Sequence, residues 1–167
     1  MPELVTPGAG WHAAWLDAHA EWGPGAHEDG FGLLPSDEVG STAGFVAWLT
    51  RLAGTDCTFR WIVEGDRLLG GIALRHGFGD FVRQFGHIGY GIRPSARGRG
   101  LATWALGRIF GEAHELGIDR VLIVCAADNV ASAKTIERHG GTIEASGAAE
   151  VRRYWVDVQG KYLSADM

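Results

Sequence analysis

The stretch that most constrains the fold covers residues 86–103 and reads GHIGYGIRPSARGRGLAT. Residues 87–92 alternate small or polar side chains with apolar ones, which predicts a β-strand. Pro94 ends that strand, because proline cannot donate to a strand ladder. Apolar residues at intervals of three and four begin near Leu101 and predict an amphipathic helix. The sequence therefore predicts a strand, a short turn and a helix in direct succession.

The turn itself is basic and rich in glycine, with the order Arg97, Gly98, Arg99, Gly100. Glycine takes positive φ readily and lets a ligand approach the backbone. The unpaired N–H groups and the dipole of the following helix favour an anion at its start, and the two arginines add positive charge. The pattern predicts a phosphate or pyrophosphate site. The alternative is a flexible, solvated basic turn, and the position between a strand and a helix favours the anion site.

The remaining chain predicts further helices and strands that alternate along its length. Helices are expected at 11–22, 43–53, 101–116 and 130–139. Strands are expected at 59–64, 67–75, 121–125 and 151–158, with a last short strand near Tyr162. The run 121–125 is continuously apolar, which predicts a buried strand in parallel pairing with a right-handed crossover. Residues 1–10 are expected to be irregular, residues 23–36 to form a loop or lid, and residues 77–85 to form a loop or a strand extension.

The motif at residues 97–102 fits the Arg/Gln-x-x-Gly-x-Gly/Ala signature, and the order continues through 121–125, Asn129, Ser132 and the glycine pair at 140–141. In this the sequence resembles the GCN5-related N-acetyltransferases, the GNAT superfamily. The resemblance implies one GNAT domain over residues 1–167. Its fold would be a mixed α/β fold, with a twisted mixed sheet of six to seven strands flanked by helices.

The resemblance also implies acetyl-CoA as cosubstrate, without a metal. Backbone amides of the turn and the helix start would hold the pyrophosphate, at Arg97, Gly98, Arg99, Gly100, Leu101 and Ala102. The preceding strand end would pair with the peptide-like pantetheine arm as an added strand does, at Gly91, Ile92 and Arg93. One amide there would also stabilise the developing oxyanion. Asn129 would lie beside the pantetheine arm, and it can also serve as a helix N-cap.

Acetyl transfer to an amine requires a proton acceptor, because a lysine-like amine has a pKa of about 10 and attacks only in its neutral form. Many members of the family carry a glutamate on the strand before the turn. His87 stands in the matching region of this sequence, and an imidazole is a competent base near neutral pH. We therefore predict His87 as the general base. The alternative is a sheet histidine held by a structural hydrogen bond.

The leaving thiolate also takes up a proton, which many members supply from a tyrosine on the helix after the asparagine. Ile136 occupies the corresponding position and cannot donate a proton. Ser132 on the same helix or Tyr154 on the later strand are the candidate acids. Water is a further candidate, because a thiol of pKa about 8.5 makes a good leaving group.

These residues predict an enzyme that acetylates a primary amine of a small molecule by direct attack in a ternary complex. Cys125 lies inside an apolar run, which disfavours an acyl-enzyme. One alternative is a protein or peptide amine as the acceptor. Another is a non-catalytic acyl-CoA-binding or regulatory module, and its support is that Ile136 replaces the tyrosine usual in the family. A dinucleotide-dependent oxidoreductase is disfavoured because its fingerprint would lack the third glycine.

Composition sets wider bounds on the partners. A net charge of -5 over 167 residues disfavours nucleic acid as a partner. Cys57 and Cys125 are the two cysteines and show no zinc-ligand spacing. No apolar run is long enough to span a bilayer, so a cytoplasmic protein is expected. The family also suggests a homodimer. Three acidic residues would suit a cationic acceptor if they line a pocket, at Glu21, Glu28 and Asp29, and the alternative is that each lies on the solvated surface.

Overall fold

The computed structural model describes residues 1–23, 29–144 and 150–159. Within these ranges the chain forms two compact units. The first unit consists of Met1–Ala73 and Tyr90–Leu101. The second consists of Leu74–Gly89 and Ala102–Met167. The expected single domain over 1–167 and the expected homodimer stay predictions.

The first unit combines a four-stranded sheet with two helices. Its strands follow the order β1-β2-β3-β4, and β3 and β4 each extend into the second unit. The helices are α1 (His12–Trp22) and α2 (Thr42–Ala53). The strands are β1 (Glu3–Val5), β2 (Cys57–Glu64), β3 (Arg67–Arg75) and β4 (Ile88–Ile92). Short 3-10 turns lie at Ala9–Trp11 and Pro94–Ala96.

Aromatic side chains fill the core of the first unit. The apolar stripes of α1 and α2 meet over Trp61 of β2, and the rings contact one another in edge-to-face and tilted arrangements. The Ser41 hydroxyl caps α2 by accepting the Gly44 N–H at 3.0 Å. The rings of this cluster are almost completely buried: Trp15, Trp22, Phe31, Phe45, Trp48 and Trp61.

A network of ion pairs around the buried guanidinium of Arg93 joins α1 to the end of β4. The Arg93 side chain is only 4% exposed. Its Nε donates to Glu21 Oε2 at 3.1 Å, its Nη2 to Asp17 Oδ2 at 2.9 Å, and its Nη1 to the Leu68 carbonyl at 3.1 Å. Glu21 Oε2 also accepts the Ser95 N–H at 3.0 Å. The network therefore fixes the chain immediately before the glycine-rich turn.

The second unit carries a three-stranded sheet with the order β5-β7-β6, in which both strand pairs are antiparallel. Helix α4 begins at Leu101 and continues through this unit with an apolar face that is fully buried at Ala105, Leu106 and Ile109. The helices are α3 (Asp80–Phe85), α4 (Leu101–Glu115) and α5 (Val130–Arg138). The strands are β5 (Arg120–Ala126), β6 (Thr142–Ile143) and β7 (Val151–Asp157).

The structure confirms the mixed α/β class and corrects parts of the predicted sheet. The seven strands of the described ranges form one four-stranded and one three-stranded sheet rather than a single mixed sheet. The parallel pairing predicted for 121–125 is wrong, because this strand pairs antiparallel with β7 and meets Gly86 only through an isolated bridge at Ile123. Segment 77–85 contains α3, and segment 1–10 contains β1. Glu28 and Tyr162 lie outside the described residues.

No helix of the described ranges is both long and apolar enough to cross a membrane.

We predict that Arg93→Ala lowers the free energy of unfolding by about 2–3 kcal/mol, because the substitution leaves Glu21 without its buried partner. For a chain of this size the loss corresponds to a melting temperature about 5–10 °C lower. Thermal unfolding followed by circular dichroism measures the change. Arg67→Ala is the control, since Arg67 is 46% exposed and lies 4.0 Å from Glu21; equal losses in the two variants would contradict the role of the buried network.

Candidate active site

The glycine-rich turn adopts the conformation that the sequence predicts. Gly98 has φ +79° and Gly100 has φ +76°. A Cβ added at either position would meet nothing within 4 Å, so both glycines face open space. Helix α4 begins directly afterwards at Leu101. The turn thus presents exposed backbone at a helix N-terminus, which is the geometry of an anion site.

Both arginines of the turn already have partners within the first unit. Arg97 Nε donates to the Ile92 carbonyl at 2.9 Å. Arg99 Nη2 donates to both carboxylate oxygens of Glu64, at 2.9 and 3.1 Å, and this hydrogen bond holds the pKa of Glu64 below its usual value. The two arginine side chains therefore bind groups of the protein on either side of the turn. The backbone amides are the main groups of the turn that can bind an anion.

The end of β4 offers only some of its backbone groups to a ligand. The Arg93 N–H donates to the Leu69 carbonyl at 2.8 Å, and the Arg93 carbonyl accepts the Ala96 N–H at 3.0 Å. Since successive residues of a strand point their backbone groups to opposite sides, Gly91 shares the β3 side with Arg93, and the Ile92 N–H points to the edge of the four-stranded sheet. Of the three predicted pantetheine residues, Ile92 thus has the best-placed amide. Cofactor contact by Gly91 and Arg93 stays a prediction.

His87 is a buried imidazole with one ring nitrogen committed to the backbone. The ring atom Nδ1 accepts the Leu122 backbone N–H at 2.8 Å. The backbone N–H of His87 donates to the Leu122 carbonyl at 2.7 Å. Burial lowers the pKa of His87, and the positive charge of Arg75 lowers it further. A neutral ring that accepts at Nδ1 carries its proton on Nε2. This arrangement engages the lone pair that a general base would use, so the base role of His87 stays a prediction that requires this hydrogen bond to open.

Asn129 and Ser132 lie together at the start of α5 in the second unit. The Asn129 side chain caps the helix by accepting the Ser132 N–H at 3.1 Å, which confirms its expected structural role. The Ser132 hydroxyl forms a hydrogen bond with the Cys125 thiol, whose pKa is raised by burial and lowered in part by that bond. Ser132 is half-buried and therefore close to the surface.

Tyr154 is held more tightly than Ser132. Its side chain is buried, and its hydroxyl donates to Glu137 Oε1 at 2.8 Å. Burial raises the pKa of Tyr154, and the hydrogen bond to Glu137 acts in the same direction. Ile136, at the position where the family places its tyrosine, is completely buried in the core. Of the two predicted acids, Ser132 is the more exposed residue.

The structure shows neighbours of the two candidate acids that the sequence analysis missed. Around Tyr154 and Ser132 lie Cys125, Arg152 and Glu137. Side chains alternate along β7, so Arg152 and Tyr154 lie on one face of the strand. This alternation is the sequence signal that indicates part of the cluster. Within the described ranges no three or more histidine, cysteine, aspartate or glutamate side chains are grouped as metal ligands.

Comparison with known proteins shows the family and the fold of this chain. The sequence matches the acetyltransferase (GNAT) domain family over residues 31–142. A comparison with curated proteins gives no match. The structure is similar to MccE, a microcin self-immunity acetyltransferase in complex with acetyl-CoA and AMP, with a TM-score of 0.68 and 18% identity over 93% of this chain and 92% of that chain.

Two further solved structures show the same fold. RimL, a ribosomal-protein α-N-acetyltransferase in complex with coenzyme A, has a TM-score of 0.67 and 18% identity over 93% of both chains. The spermidine/spermine N-acetyltransferase SpeG from Vibrio cholerae, in mutant forms, has a TM-score of 0.68 and 13% identity over 100% of both chains. The predicted fold class is thereby confirmed.

We predict that the His87 ring is neutral with its proton on Nε2, and that it titrates below pH 6.5, because burial and Arg75 disfavour the charged form. The unfolded chain then binds a proton first as the pH falls, so the free energy of unfolding decreases below about pH 6.5. Nitrogen NMR of the imidazole measures the tautomer, and urea unfolding at pH 7.5 and 5.5 measures the stability. The decrease should be smaller in His87→Gln, and a ring protonated at Nδ1 would contradict the assignment.

Proposed function

Because the chain belongs to the GNAT acetyltransferase family and is therefore an acyltransferase, we propose that it moves an acetyl group from acetyl-CoA to the primary amine of a small molecule. The observation that carries this proposal is the turn before α4, where Gly98 and Gly100 leave exposed backbone at a helix N-terminus. Structures similar to this one contain acetyl-CoA or coenzyme A.

In the proposed complex the donor is held mainly by backbone. Amides of the turn and of the first turn of α4, at Leu101 and Ala102, receive the pyrophosphate. The Ile92 N–H at the strand edge pairs with an amide of pantetheine, as an added β-strand would. Asn129 continues to cap α5 through Oδ1, and its amide nitrogen is the group proposed to meet the pantetheine arm.

Acetyl transfer in this proposal proceeds by direct attack. The amine nitrogen forms a bond to the acetyl carbon while the carbon–sulfur bond breaks, and coenzyme A leaves as the thiol. An ammonium acceptor loses two protons in total, of which one goes to the sulfur and the other to solvent. Cys125 supports the direct route, because burial raises the pKa of its thiol and leaves it a weak nucleophile.

Two proton transfers accompany the reaction, one to the leaving sulfur and one from the acceptor amine. Ser132 is the proposed donor to the leaving sulfur, since it is the more exposed of the two candidate acids. The proton acceptor is either His87, once its Nδ1 hydrogen bond opens, or a water molecule. Tyr154 keeps Glu137 in place and is the second candidate for the acid.

A protein or peptide amine is the second candidate acceptor, and one surface of the second unit favours it. Phe78, Phe81 and Phe85 are each about half exposed, at 48%, 57% and 47%. Arg75 lies over the Phe81 ring at 4.8 Å and Arg83 over the Phe78 ring at 5.2 Å. Phe81 and Phe85 contact each other with ring centroids 4.6 Å apart, and exposed aromatics with arginine are typical of protein-binding surfaces. RimL is named as an acetyltransferase of a ribosomal protein.

The deciding experiment measures thiol release from acetyl-CoA with a panel of small primary amines and a set of short peptides, alongside coenzyme A binding by calorimetry. Amine-dependent release with the small molecules supports the proposal. Release only with peptides, reduced in Phe81→Ser, establishes the second candidate instead. If coenzyme A does not bind, the proposed donor site is wrong.

We predict that Gly100→Ala weakens coenzyme A binding about tenfold, because a Cβ at φ +76° costs about 1–2 kcal/mol and shifts the turn amides. Calorimetry measures the affinity. Gly10→Ala is the matched control, since a Cβ there meets nothing within 4 Å and Gly10 does not have positive φ. Equal affinity in the two variants would remove the turn from the donor site.

We predict that Ser132→Ala lowers kcat by about tenfold or more, because the leaving thiolate loses its proton donor. The KM for acetyl-CoA should stay close to that of the wild type. Tyr154→Phe is the comparison variant and should keep most of kcat while the melting temperature falls, since its hydroxyl serves Glu137. The reverse result would transfer the acid role to Tyr154.

A further inference from the structure

The serine proposed as the proton donor has a buried thiol as its hydrogen-bond partner. The Ser132 hydroxyl is hydrogen-bonded to the Cys125 thiol, and the Ser132 N–H is held by Asn129 Oδ1 at 3.1 Å. Cys125 is 8% exposed, whereas Ser132 is half-buried. The hydrogen-bonded pair therefore connects a thiol in the core of the second unit with a hydroxyl on a residue that reaches its surface.

A serine hydroxyl by itself is a poor acid for a leaving thiolate. Serine is not among the side chains that ionise in the ordinary pH range. If it gave its proton to the sulfur of coenzyme A, it would become an alkoxide, which is a stronger base than the thiolate it had protonated. A proton source with a thiol pKa of about 8.5 would match the leaving group instead. The Cys125 thiol, as the partner of Ser132, is a group of this kind.

The Cys125 thiol holds its proton at neutral pH. Burial raises the pKa of this thiol, and the charge of Glu137 acts in the same direction. The hydrogen bond from Ser132 and the positive charge of Arg152 lower the pKa in part. Cys125 is therefore protonated before the reaction, which is the state that a proton donor requires and a nucleophile does not.

A cation stands across the strand pair from the thiol. Cys125 of β5 and Arg152 of β7 are direct partners in the antiparallel register, and the Cβ atoms of such partners lie about 5 Å apart. Arg152 is half-buried, and a positive charge at this distance stabilises a thiolate once the proton has left. The opposing charge is that of Glu137, whose Oε1 accepts the Tyr154 hydroxyl at 2.8 Å.

We propose that Cys125 supplies, through Ser132, the proton that the leaving sulfur of coenzyme A takes up. The carbon–sulfur bond breaks and its electron pair passes to the sulfur, which takes the proton of Ser132 Oγ. In the same step Ser132 Oγ takes the proton of Cys125 Sγ. Cys125 is left as a thiolate beside Arg152 and regains a proton from water before the next turnover. This inference rests on the proposed acetyl transfer and on Ser132 as the donor.

The deciding experiment compares the kcat of Cys125→Ser and of Cys125→Ala with that of the wild type. The introduced hydroxyl can form a hydrogen bond with Ser132 but does not ionise in the ordinary pH range. Both variants should therefore lose about tenfold or more in kcat, with the KM for acetyl-CoA unchanged. The ratio of kcat between the wild type and Cys125→Ala should become smaller above the pKa of the thiol, because a deprotonated thiol has no proton to donate.

Cys57→Ala is the matched control, because Cys57 is a half-buried cysteine of β2 in the first unit. Its kcat should equal that of the wild type. Thermal unfolding followed by circular dichroism shows whether each variant is folded. A wild-type kcat in Cys125→Ser would mean that the side chain only positions Ser132, and it would overturn the proton transfer from Cys125.

A second measurement tests the contacts of the thiol without turnover. Cys57 is the other of the two cysteines, so in Cys57→Ala the pH dependence of alkylation by iodoacetamide gives the pKa of Cys125. Adding Ser132→Ala or Arg152→Gln should raise this pKa, since each change removes a group that lowers it. An unchanged pKa in both variants would overturn the inference. Absence of thiol release from the wild type with every amine and peptide would overturn the proposed function, even where the pKa of Cys125 responds as expected.

Discussion

The buried guanidinium of Arg93 is the interaction on which the geometry of the first unit depends. It binds two carboxylates of α1 and a carbonyl of β3, while Glu21 also receives the Ser95 N–H. The hydrogen bonds from Ser95 and Arg93 lower the pKa of Glu21 to about 2, so the network remains charged throughout the neutral range. Because Ser95 lies just before the glycine-rich turn, the network fixes the start of the turn, and the Arg99–Glu64 pair fixes its end.

Polar groups that stabilise the fold are also the groups proposed for chemistry. Asn129 caps α5, and the capped first turn carries Ser132, whose hydroxyl meets the Cys125 thiol. His87 connects to Leu122 through both its backbone and its ring. Such groups are held in one orientation by hydrogen bonds that exist before a substrate arrives, which is the condition for a preorganised site. For His87 the same hydrogen bond restricts the role in catalysis.

Local sequence signals predicted the elements of this protein better than their partners. The glycine-rich turn, α4 and the β2–β3 hairpin at Gly65 follow from periodicity and from the conformational freedom of glycine, both of which are properties of a few neighbouring residues. The predicted parallel pairing of β5 was wrong, because a continuous apolar run indicates that both faces of a strand are buried but does not indicate which strand lies beside it. Helix α3 was missed because its six residues are too few to display a period.

The sequence by itself determined the family, the mixed α/β class, the positive-φ turn and the residue types available for proton transfer. Tertiary structure decided the burial and the hydrogen-bond partners of those residues. It placed the Tyr154 hydroxyl on Glu137 and committed Nδ1 of His87 to a backbone amide. It also laid Asp29 on Gly91. The physical reason is that a side chain's protonation and reach depend on burial and on hydrogen-bond partners distant in sequence, and no local pattern records them.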